Sequence, residues 1–351
     1  MPSATSAFLG LAMELRETGR DIISLGAGEP DFDTPEHIRD AAKDALDQGH
    51  THYTPSPGMM DVREAIARHQ TQRQGYAVDP GSIIVTPGGK PVMFFTILAL
   101  DVAGDEDIFP NPGFPIYESM IEFVGGVAVP MQLHESMGFN LDVDQVAESI
   151  TERTKLMIVN SPNNPCGSIL PEGDLERLAA LAKEHDIIVL SDEIYSRFIY
   201  EGEHHSISSY SAMRDRTIIL DGFSKTYAMT GWRIGYGTMP LELVEPISRL
   251  VTNSVSCTAS FTQMAAIEAL NGPQDTTRQM VSEFKRRRDV IVQGMNDIAG
   301  IRCPMPRGAF YVFPNVREVP MAPEELAHRL TMAGIEVGEV EVIGGDWDGD
   351  K

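Results

Sequence analysis

Apolar runs and punctuating residues divide this chain into predicted strands and predicted helices. Short apolar, β-branched runs indicate buried strands, whereas longer segments that begin at a capping residue or end at a glycine indicate helices. Helices are predicted at 7–18, 35–48, 60–74, 91–100 and 173–185, and mainly helices are expected after residue 240. Strands are predicted at 83–86, 108–110, 127–133, 156–159, 187–190, 217–220, 233–237 and 306–313.

From residue 83 to residue 240 the predicted strands and helices alternate. Such alternation is typical of an α/β fold, with a parallel sheet covered by helices on both faces. Near Pro240 the alternation of strands and helices gives way to a pattern of helices, and we place a domain boundary there. We expect the first thirty or so residues to pack with the C-terminal part. Thr34 is predicted to cap the helix that starts at Pro35, and Lys285 to Arg288 are interpreted as a solvated helix face.

Polar or glycine residues follow four predicted strands, each just past the carboxyl end. They are Gly88 and Gly89, Asn164, Asp192, and the pair Ser224 and Lys225. The carboxyl ends of parallel strands meet at one edge of a sheet, where open α/β sheets bind their ligands. Each of them alone is equally well explained without a ligand. The glycines could form a tight turn, Asn164 could be a turn asparagine, Asp192 a helix cap and Lys225 a solvated loop lysine. Their coincidence is what predicts a ligand site.

The chemistry of these residues fits an anionic ligand that carries an aldehyde. Two glycines before a helix, here at Gly88 and Gly89, expose free N–H groups that bind anions. A partly desolvated amine such as that of Lys225 has a lowered pKa and can form a Schiff base. Phe114 and Tyr117 are expected on a loop, where an aromatic ring either stacks on a flat ligand or packs into the core.

Composition excludes several other classes of protein. The net charge of 28 − 51 = −23 argues against nucleic acid or an anionic membrane as a partner. The longest apolar run, 91–100, is too short to span a bilayer, and the start shows no basic-then-apolar leader. The three cysteines, at 166, 257 and 303, lack metal-ligand spacing and indicate no disulfide framework, so we expect no metal site and a cytoplasmic location.

Eight motifs in this chain resemble, in order and spacing, those of the class I/II pyridoxal-phosphate aminotransferases, the fold type I family of aspartate aminotransferase. The resemblance covers residues 2 to about 337, and the motifs are SLGAGEPDFDTP, YTPSPG, TPGGK, NPGFPIYE, NSPNNPCG, SDEIY, FSKTYAMTGWRIGY and GAFY. It implies a large domain, residues 31–240, with a mostly parallel sheet of the seven-stranded type. It also implies a smaller α+β domain from residues 1–30 and 241–351.

The resemblance implies an enzyme that moves an amino group between an α-amino acid and a 2-oxo acid. Lys225 would hold pyridoxal 5'-phosphate as an aldimine and move the substrate's proton. Asp192 would pair with the ring nitrogen, and Tyr195 and Asn164 would bond the phenolic oxygen. The remaining implied residues divide into a phosphate group of Gly88, Gly89, Lys90, Ser224 and Arg233, a ring-stacking Phe114, and a substrate-binding set of Gly28, Phe114 and Asn164. The tyrosine that matches Tyr53 reaches the neighbouring subunit's phosphate, which implies a homodimer.

Three departures from the family pattern stand out. Gly222 replaces a second phosphate-binding serine of some relatives, and Cys166 replaces the usual threonine of the Asn-Pro-Thr-Gly motif. The family's substrate-clamping arginine near the C-terminus has no counterpart, because the sequence contains no arginine after Arg329. We therefore expect a divergent or truncated end and weak amino-acid binding, with Arg307 as the nearest substitute. Two alternatives stay open: a cofactor-binding homologue with impaired turnover, and a related lyase.

Overall fold

The computed structural model describes residues 4–337 of the chain. Its helices are Ala4–Glu17 (α1), Glu36–Asp47 (α2), Met60–Gln74 (α3), Lys90–Leu100 (α4), Ile116–Phe123 (α5), Val143–Ser149 (α6), Glu172–Glu184 (α7), Leu241–Ser254 (α8), Ser260–Asn271 (α9), Asp275–Asn296 (α10) and Pro323–Met332 (α11). Its strands are Ile23–Ser24 (β1), Ile83–Thr86 (β2), Glu106–Asn111 (β3), Val127–Gln132 (β4), Thr154–Asn160 (β5), Ile188–Asp192 (β6), Thr217–Gly222 (β7), Gly235–Thr238 (β8) and Ile335–Glu336 (β9).

The main sheet has seven strands in the order β2-β8-β7-β6-β5-β3-β4. Strand β8 runs antiparallel to both of its neighbours, and the other pairings are parallel. The predicted α/β class with a mostly parallel sheet is therefore confirmed. Because β8 is the only reversed strand of this sheet, the carboxyl ends of the other six strands share one edge.

Strand register aligns the polar residues at this edge. Asn160 pairs with Asp192, and Asp192 pairs with Leu220 on the next strand. Ser224 and Lys225 follow four and five residues after Leu220, in the turn that leaves β7. The register thus brings residues that are far apart in sequence to neighbouring positions.

Apolar side chains cover both faces of the sheet, which explains why the strands read as continuous apolar runs rather than as alternating ones. Along β5, Met157 and Val159 join one buried cluster with residues of α6 and α7. Leu156 and Ile158 point to the other face and join a cluster with residues of α4, α5 and α8. Each fully buried side chain of this size contributes roughly 1.5–3 kcal/mol to folding.

A small second sheet joins the two ends of the described chain. Strand β1 pairs in parallel with β9, with Ile23 opposite Ile335 and Ser24 opposite Glu336. The pairing of β1 with β9 is therefore a specific contact between the first thirty residues and the C-terminal part, as expected. The domain boundaries themselves, residues 31–240 against 1–30 and 241–351, stay a prediction.

The segment 306–313 is not the strand that its apolar residues predicted. Gly308 makes only an isolated bridge to Ile199, and Ala309 has a φ of +56°. The N–H groups of Arg307 and Gly308 both donate to the carbonyl of Gly167, which holds the segment against the loop after β5. Contacts with a distant loop have here replaced the ladder of a strand.

Two local expectations are also wrong. Thr34 does not cap α2; its hydroxyl donates to the carbonyl of Ala228 at 2.6 Å and accepts the indole N–H of Trp232. The stretch from Lys285 to Arg288 is not wholly solvated, because Arg288 is buried and donates to the carbonyl of Pro306 at 2.9 Å. In both cases a polar side chain serves a long-range contact.

Candidate active site

A cavity of about 1670 Å³ opens at the carboxyl edge of the main sheet. Most of the residues predicted from the sequence line it together, which local sequence signals alone could not guarantee. They are Gly28, Gly89, Lys90, Phe114, Asn164, Asp192, Tyr195, Ser224, Lys225 and Arg233. Gly88 is not among the lining residues but lies against the side chain of Arg233, and Tyr53 lies outside the cavity and is 89% exposed.

Lys225 projects into the cavity from the turn after β7. Its ammonium group donates a hydrogen bond to the carbonyl of Gly28, across 197 residues of sequence. The Nζ atom lies 6.0 Å from the ring centroid of Tyr195 and 5.8 Å from that of Phe310. Burial among these rings lowers the pKa of Lys225 to about 8, so this amine loses its proton at a much lower pH than an ordinary lysine does.

Asp192 is the last residue of β6 and is 6% exposed. Its carboxylate accepts hydrogen bonds from the Tyr117 hydroxyl at 2.8 Å and from the N–H of Ile194 at 3.2 Å. Burial raises the pKa of Asp192 to about 6, and the hydrogen bond from Tyr117 opposes that rise. The site therefore holds a carboxylate that a nearby cation would stabilise.

Tyr117 was expected on a loop, with its ring either stacked on a flat ligand or packed into the core. It lies in the first turn of α5 and is fully buried. Tyr117 lies three residues after Phe114, which is a helical spacing, and this spacing was the sequence signal that could have placed both rings on one side of a helical turn. The two rings pack edge to face with centroids 5.9 Å apart, so one short segment supplies both a wall of the cavity and a donor to Asp192.

Tyr195 and Asn164 are oriented by neighbours of their own. The hydroxyl of Tyr195 shares a hydrogen bond with that of Tyr311, from the GAFY segment. Burial raises the pKa of Tyr195 well above its ordinary value, so its hydroxyl keeps its proton. The backbone N–H of Asn164 donates to the Asn160 side chain at 2.7 Å, which fixes the turn after β5.

Gly88, Gly89 and Lys90 form the turn between β2 and the start of α4. A side chain at Gly88, which has a φ of +88°, would place its Cβ 2.2 Å from Nη2 of Arg233. The guanidinium of Arg233 therefore lies against the glycine backbone, and its Nη1 donates to the carbonyl of Thr230 at 2.8 Å. Arg233 precedes β8 with a φ of +52°, rather than lying in the strand as expected.

Gly89 and Lys90 at the N-terminus of α4, together with Ser224 and Arg233, all line the cavity. Free backbone N–H groups and fixed cations of this kind bind phosphate. The Lys90 ammonium also lies 5.1 Å from the ring centroid of Phe114. The donor set therefore suits an anion attached to a flat ring.

Arg307, expected as the nearest substitute for a clamping arginine, is exposed and is absent from the described lining of the cavity. The acidic segment 338–351, on which the expectation of weak substrate binding rests, lies outside the described residues. Within 4–337, no helix combines the length and the hydropathy needed to cross a membrane.

Comparison with known proteins identifies the family. The model of aminotransferase class I and II matches residues 20–343. The aspartate/prephenate aminotransferase of Thermus thermophilus is 42% identical over 342 residues, which cover 96% of this chain and 87% of that protein. The aspartate aminotransferase of Geobacillus stearothermophilus is 39% identical, with 98% of this chain and 88% of that protein covered.

Solved structures agree with the sequence relatives. Aspartate aminotransferase from Thermus thermophilus with maleate superposes with a TM-score of 0.91 at 40% identity, covering 96% of this chain and 88% of that one. The chain therefore belongs to the class I and II aminotransferases, pyridoxal-phosphate-dependent enzymes that transfer amino groups between amino acids and 2-oxo acids.

Proposed function

We propose that the cavity at the sheet edge is the transamination site and that Lys225 is its central catalytic residue. The observation that carries this proposal is the meeting of a desolvated amine, a buried carboxylate and a set of anion-binding residues in one cavity. We call the last set the anion cradle; it consists of Gly88, Gly89, Lys90, Ser224 and Arg233. Each of the three matches one functional group of pyridoxal phosphate: its aldehyde, its ring nitrogen and its phosphate. When bound, this cofactor supplies an electron sink that stabilises negative charge at the substrate's Cα.

Gly88, Gly89, Lys90, Ser224 and Arg233 would hold the phosphate. The fit is supported by the close approach of Arg233 to Gly88, where even a methyl group would meet the guanidinium. The phosphate would thus meet the backbone N–H groups of Gly89 and Lys90 and a fork of guanidinium donors, whereas the N–H of Gly88 already donates to the carbonyl of Thr86 at 2.8 Å. The hydroxyl of Ser224, which is 8% exposed, would supply a further donor.

Asp192 would pair with the ring nitrogen and keep it protonated. A buried carboxylate is costly unless it is paired, and the cationic ring would supply the missing partner. The Tyr195 hydroxyl, which keeps its proton, would donate to the phenolic oxygen together with the Asn164 amide. Phe114 would stack on the ring, and the backbone at Gly28 would line the substrate pocket.

The neutral amine of Lys225 would move the proton. Its Nζ would take a proton from the substrate's Cα and deliver it to C4′ of the cofactor, which lies on the other side of the amino nitrogen. The lowered pKa of about 8 makes the free base easier to reach near neutral pH than it is for an ordinary lysine. The hydrogen bond to Gly28 ties the same amine to the wall that the substrate would contact.

We also propose a cytoplasmic homodimer. The exposed Tyr53 ring lies outside this chain's own cavity, as expected for a residue that completes the site of a second copy. Cys257 and Cys303 are free thiols, which suits a reducing compartment. Both proposals hold whichever amino acid is the substrate.

Borohydride reduction of the purified holoprotein tests the central proposal. It should attach the cofactor irreversibly to Lys225, as peptide mapping by mass spectrometry would reveal. Attachment to another lysine, or none with excess cofactor, would sink the assignment of Lys225.

A half-reaction assay tests the alternatives of an impaired homologue and of a lyase. Aspartate should convert the bound cofactor to its amine form, with release of the 2-oxo acid and without loss of the substrate's side chain. We choose aspartate first because several relatives are named aspartate aminotransferases. Conversion by none of a panel of amino acids would favour the impaired homologue, and cleavage of the side chain would favour the lyase.

A further inference from the structure

A buried ionic cluster lies beside the strand ends that carry Asp192 and Lys225. Arg73, near the end of α3, places Nη1 2.7 Å from Asp221 and Nη2 3.6 Å from Glu193. Glu193 directly follows Asp192 in sequence, and Asp221 lies four residues before Lys225. One guanidinium therefore contacts both backbone segments that present the proposed catalytic residues.

The cluster is enclosed and well hydrogen-bonded. The side chains of Arg73, Asp221 and Glu193 are 17%, 5% and 1% exposed. Asp221 accepts hydrogen bonds from the N–H of Gly222 at 2.7 Å and from the hydroxyl of Tyr236 at 3.1 Å. Buried ions with this degree of satisfaction are expensive to disturb, because removal of one partner leaves an uncompensated charge.

Glu193 has a donor set of its own. It accepts hydrogen bonds from the hydroxyls of Ser191, at 3.1 Å, and Ser206. The ring of His204 lies 3.9 Å away, but burial lowers its pKa, so it is a poor source of positive charge at neutral pH. The positive charge that balances the two carboxylates therefore comes chiefly from Arg73.

We propose that Arg73 is a positioning residue of the transamination site, which acts through Asp221 and Glu193 to keep Asp192 ionised. The inference rests on the proposed role of Asp192 toward the cofactor. It assigns a function to Arg73, a residue that lies outside the described lining of the cavity that would hold the cofactor and the amino-acid substrate.

Electrostatics gives the mechanism. Burial is the main cause that raises the pKa of Asp192, and the negative charges of Asp221 and Glu193 raise it further. Arg73 offsets those charges at close range in a poorly solvated environment, where interactions between charges are strong. Without it, Asp192 would take up a proton at a higher pH, and a protonated acid is a poor partner for a cationic ring.

Other groups around the cluster also shape its titration. The titratable or charged groups that face Asp192, Asp221, Glu193 or Arg73 from the elements packed around them are His69, Tyr76, Tyr117, Tyr195, Arg197, His204, Lys225, Tyr227, Tyr236 and Tyr311. Each is unchanged in the variants below, so differences between variants report on the cluster itself.

The test measures the affinity of the apoprotein for pyridoxal phosphate as a function of pH, by absorbance of the bound cofactor. In Arg73→Gln the acidic midpoint of binding should rise by about one pH unit, because the two carboxylates lose their counter-charge. In Asp221→Asn, which is nearly isosteric, the midpoint should fall, because a repulsive charge is removed. If the midpoint rises in Arg73→Gln and falls in Asp221→Asn, the cause is the change in charge, because a general disruption of the structure would not shift the two midpoints in opposite directions.

Two matched variants serve as controls. Arg73→Lys keeps the positive charge and should retain a midpoint close to the native one. Arg68→Gln removes a charge from the same helix at an exposed site, where Arg68 lies 4.0 Å from Glu64, and should cause no shift. A third control starts from Asp192→Asn, which has no carboxyl group to titrate at position 192. The double variant with Arg73→Gln should show the same pH dependence of cofactor affinity as Asp192→Asn alone.

A native midpoint in folded Arg73→Gln would overturn the inference, as would an equal shift in Arg73→Lys. If Arg73→Gln does not fold, Asp221→Asn decides, and an unchanged or raised midpoint in that variant would overturn the inference. Failure of the proposed function is distinguishable, because borohydride would then not attach the cofactor to Lys225 in the native protein.

Discussion

At the scale of single residues, the environment of Lys225 determines its reactivity. Burial lowers the pKa of this amine from 10.5 to about 8, so its neutral fraction grows as the pH rises through 8. We predict that acylation of Lys225 in the apoprotein accelerates up to about pH 8 and then levels off. Competitive labelling with mass spectrometry measures this, with the exposed Lys43 as internal comparison. A rate that still rises tenfold per unit above pH 9 would contradict the prediction.

Tyr117 acts at the same scale, through one hydrogen bond to Asp192. Hydrogen bonds to charged groups contribute about 1.5–3 kcal/mol, so we predict that Tyr117→Phe slows the half-reaction roughly tenfold or more. Stopped-flow measurement of the cofactor spectrum would show it. Tyr210→Phe removes a comparable hydroxyl, which donates to the carbonyl of Glu172 at 2.9 Å, and should leave the rate unchanged. An equal loss in both variants would point to a general effect on folding.

At the scale of elements, contact between β8 and the turn after β2 shapes the proposed anion cradle. A side chain at Gly235 would place its Cβ 2.6 Å from the carbonyl carbon of Gly88 and from the amide nitrogen of Gly89. Overpacking of this kind costs typically 1–3 kcal/mol, so we predict that Gly235→Ala weakens cofactor binding roughly 10- to 100-fold. Equilibrium titration of the apoprotein tests it. Gly231→Ala, in the same motif but with open space around it, should bind normally, and native affinity in Gly235→Ala would refute the argument.

At the scale of the whole molecule, the exposed Tyr53 predicts sites that are shared between two copies of the chain. Tyr53→Phe should lower cofactor affinity, and Lys225→Ala should be inactive. Mixed dimers of the two variants should regain activity, because one of their sites then combines a native Lys225 with the partner's native tyrosine. Subunit exchange followed by the half-reaction assay measures this. No recovery, or full activity in a protein that sediments as a monomer, would rule the shared site out.

The range of an interaction along the chain decides whether the local sequence predicts it. The strands around Leu156 and Ile218 were predicted because their apolar runs are local signals of burial on both faces. The strand predicted at 306–313 was wrong because the neighbourhood of Gly308 is occupied by distant groups: a Cβ there would lie 2.8 Å from the carbonyl of Phe198. No local pattern contains that information.

The sequence by itself determined the order of strands and turns, and with it the placement of Asn164, Asp192 and Lys225 after buried strands. Chain connectivity and the two-sided burial of a parallel sheet suffice for that result. Only the tertiary structure decided which charges compensate one another. Arg73 meets Asp221 across 148 residues and Tyr117 meets Asp192 across 75, because packing of α3 and α5 against the sheet sets those distances. In a low-dielectric interior such distances govern the strength of each interaction, and sequence separation carries no measure of them.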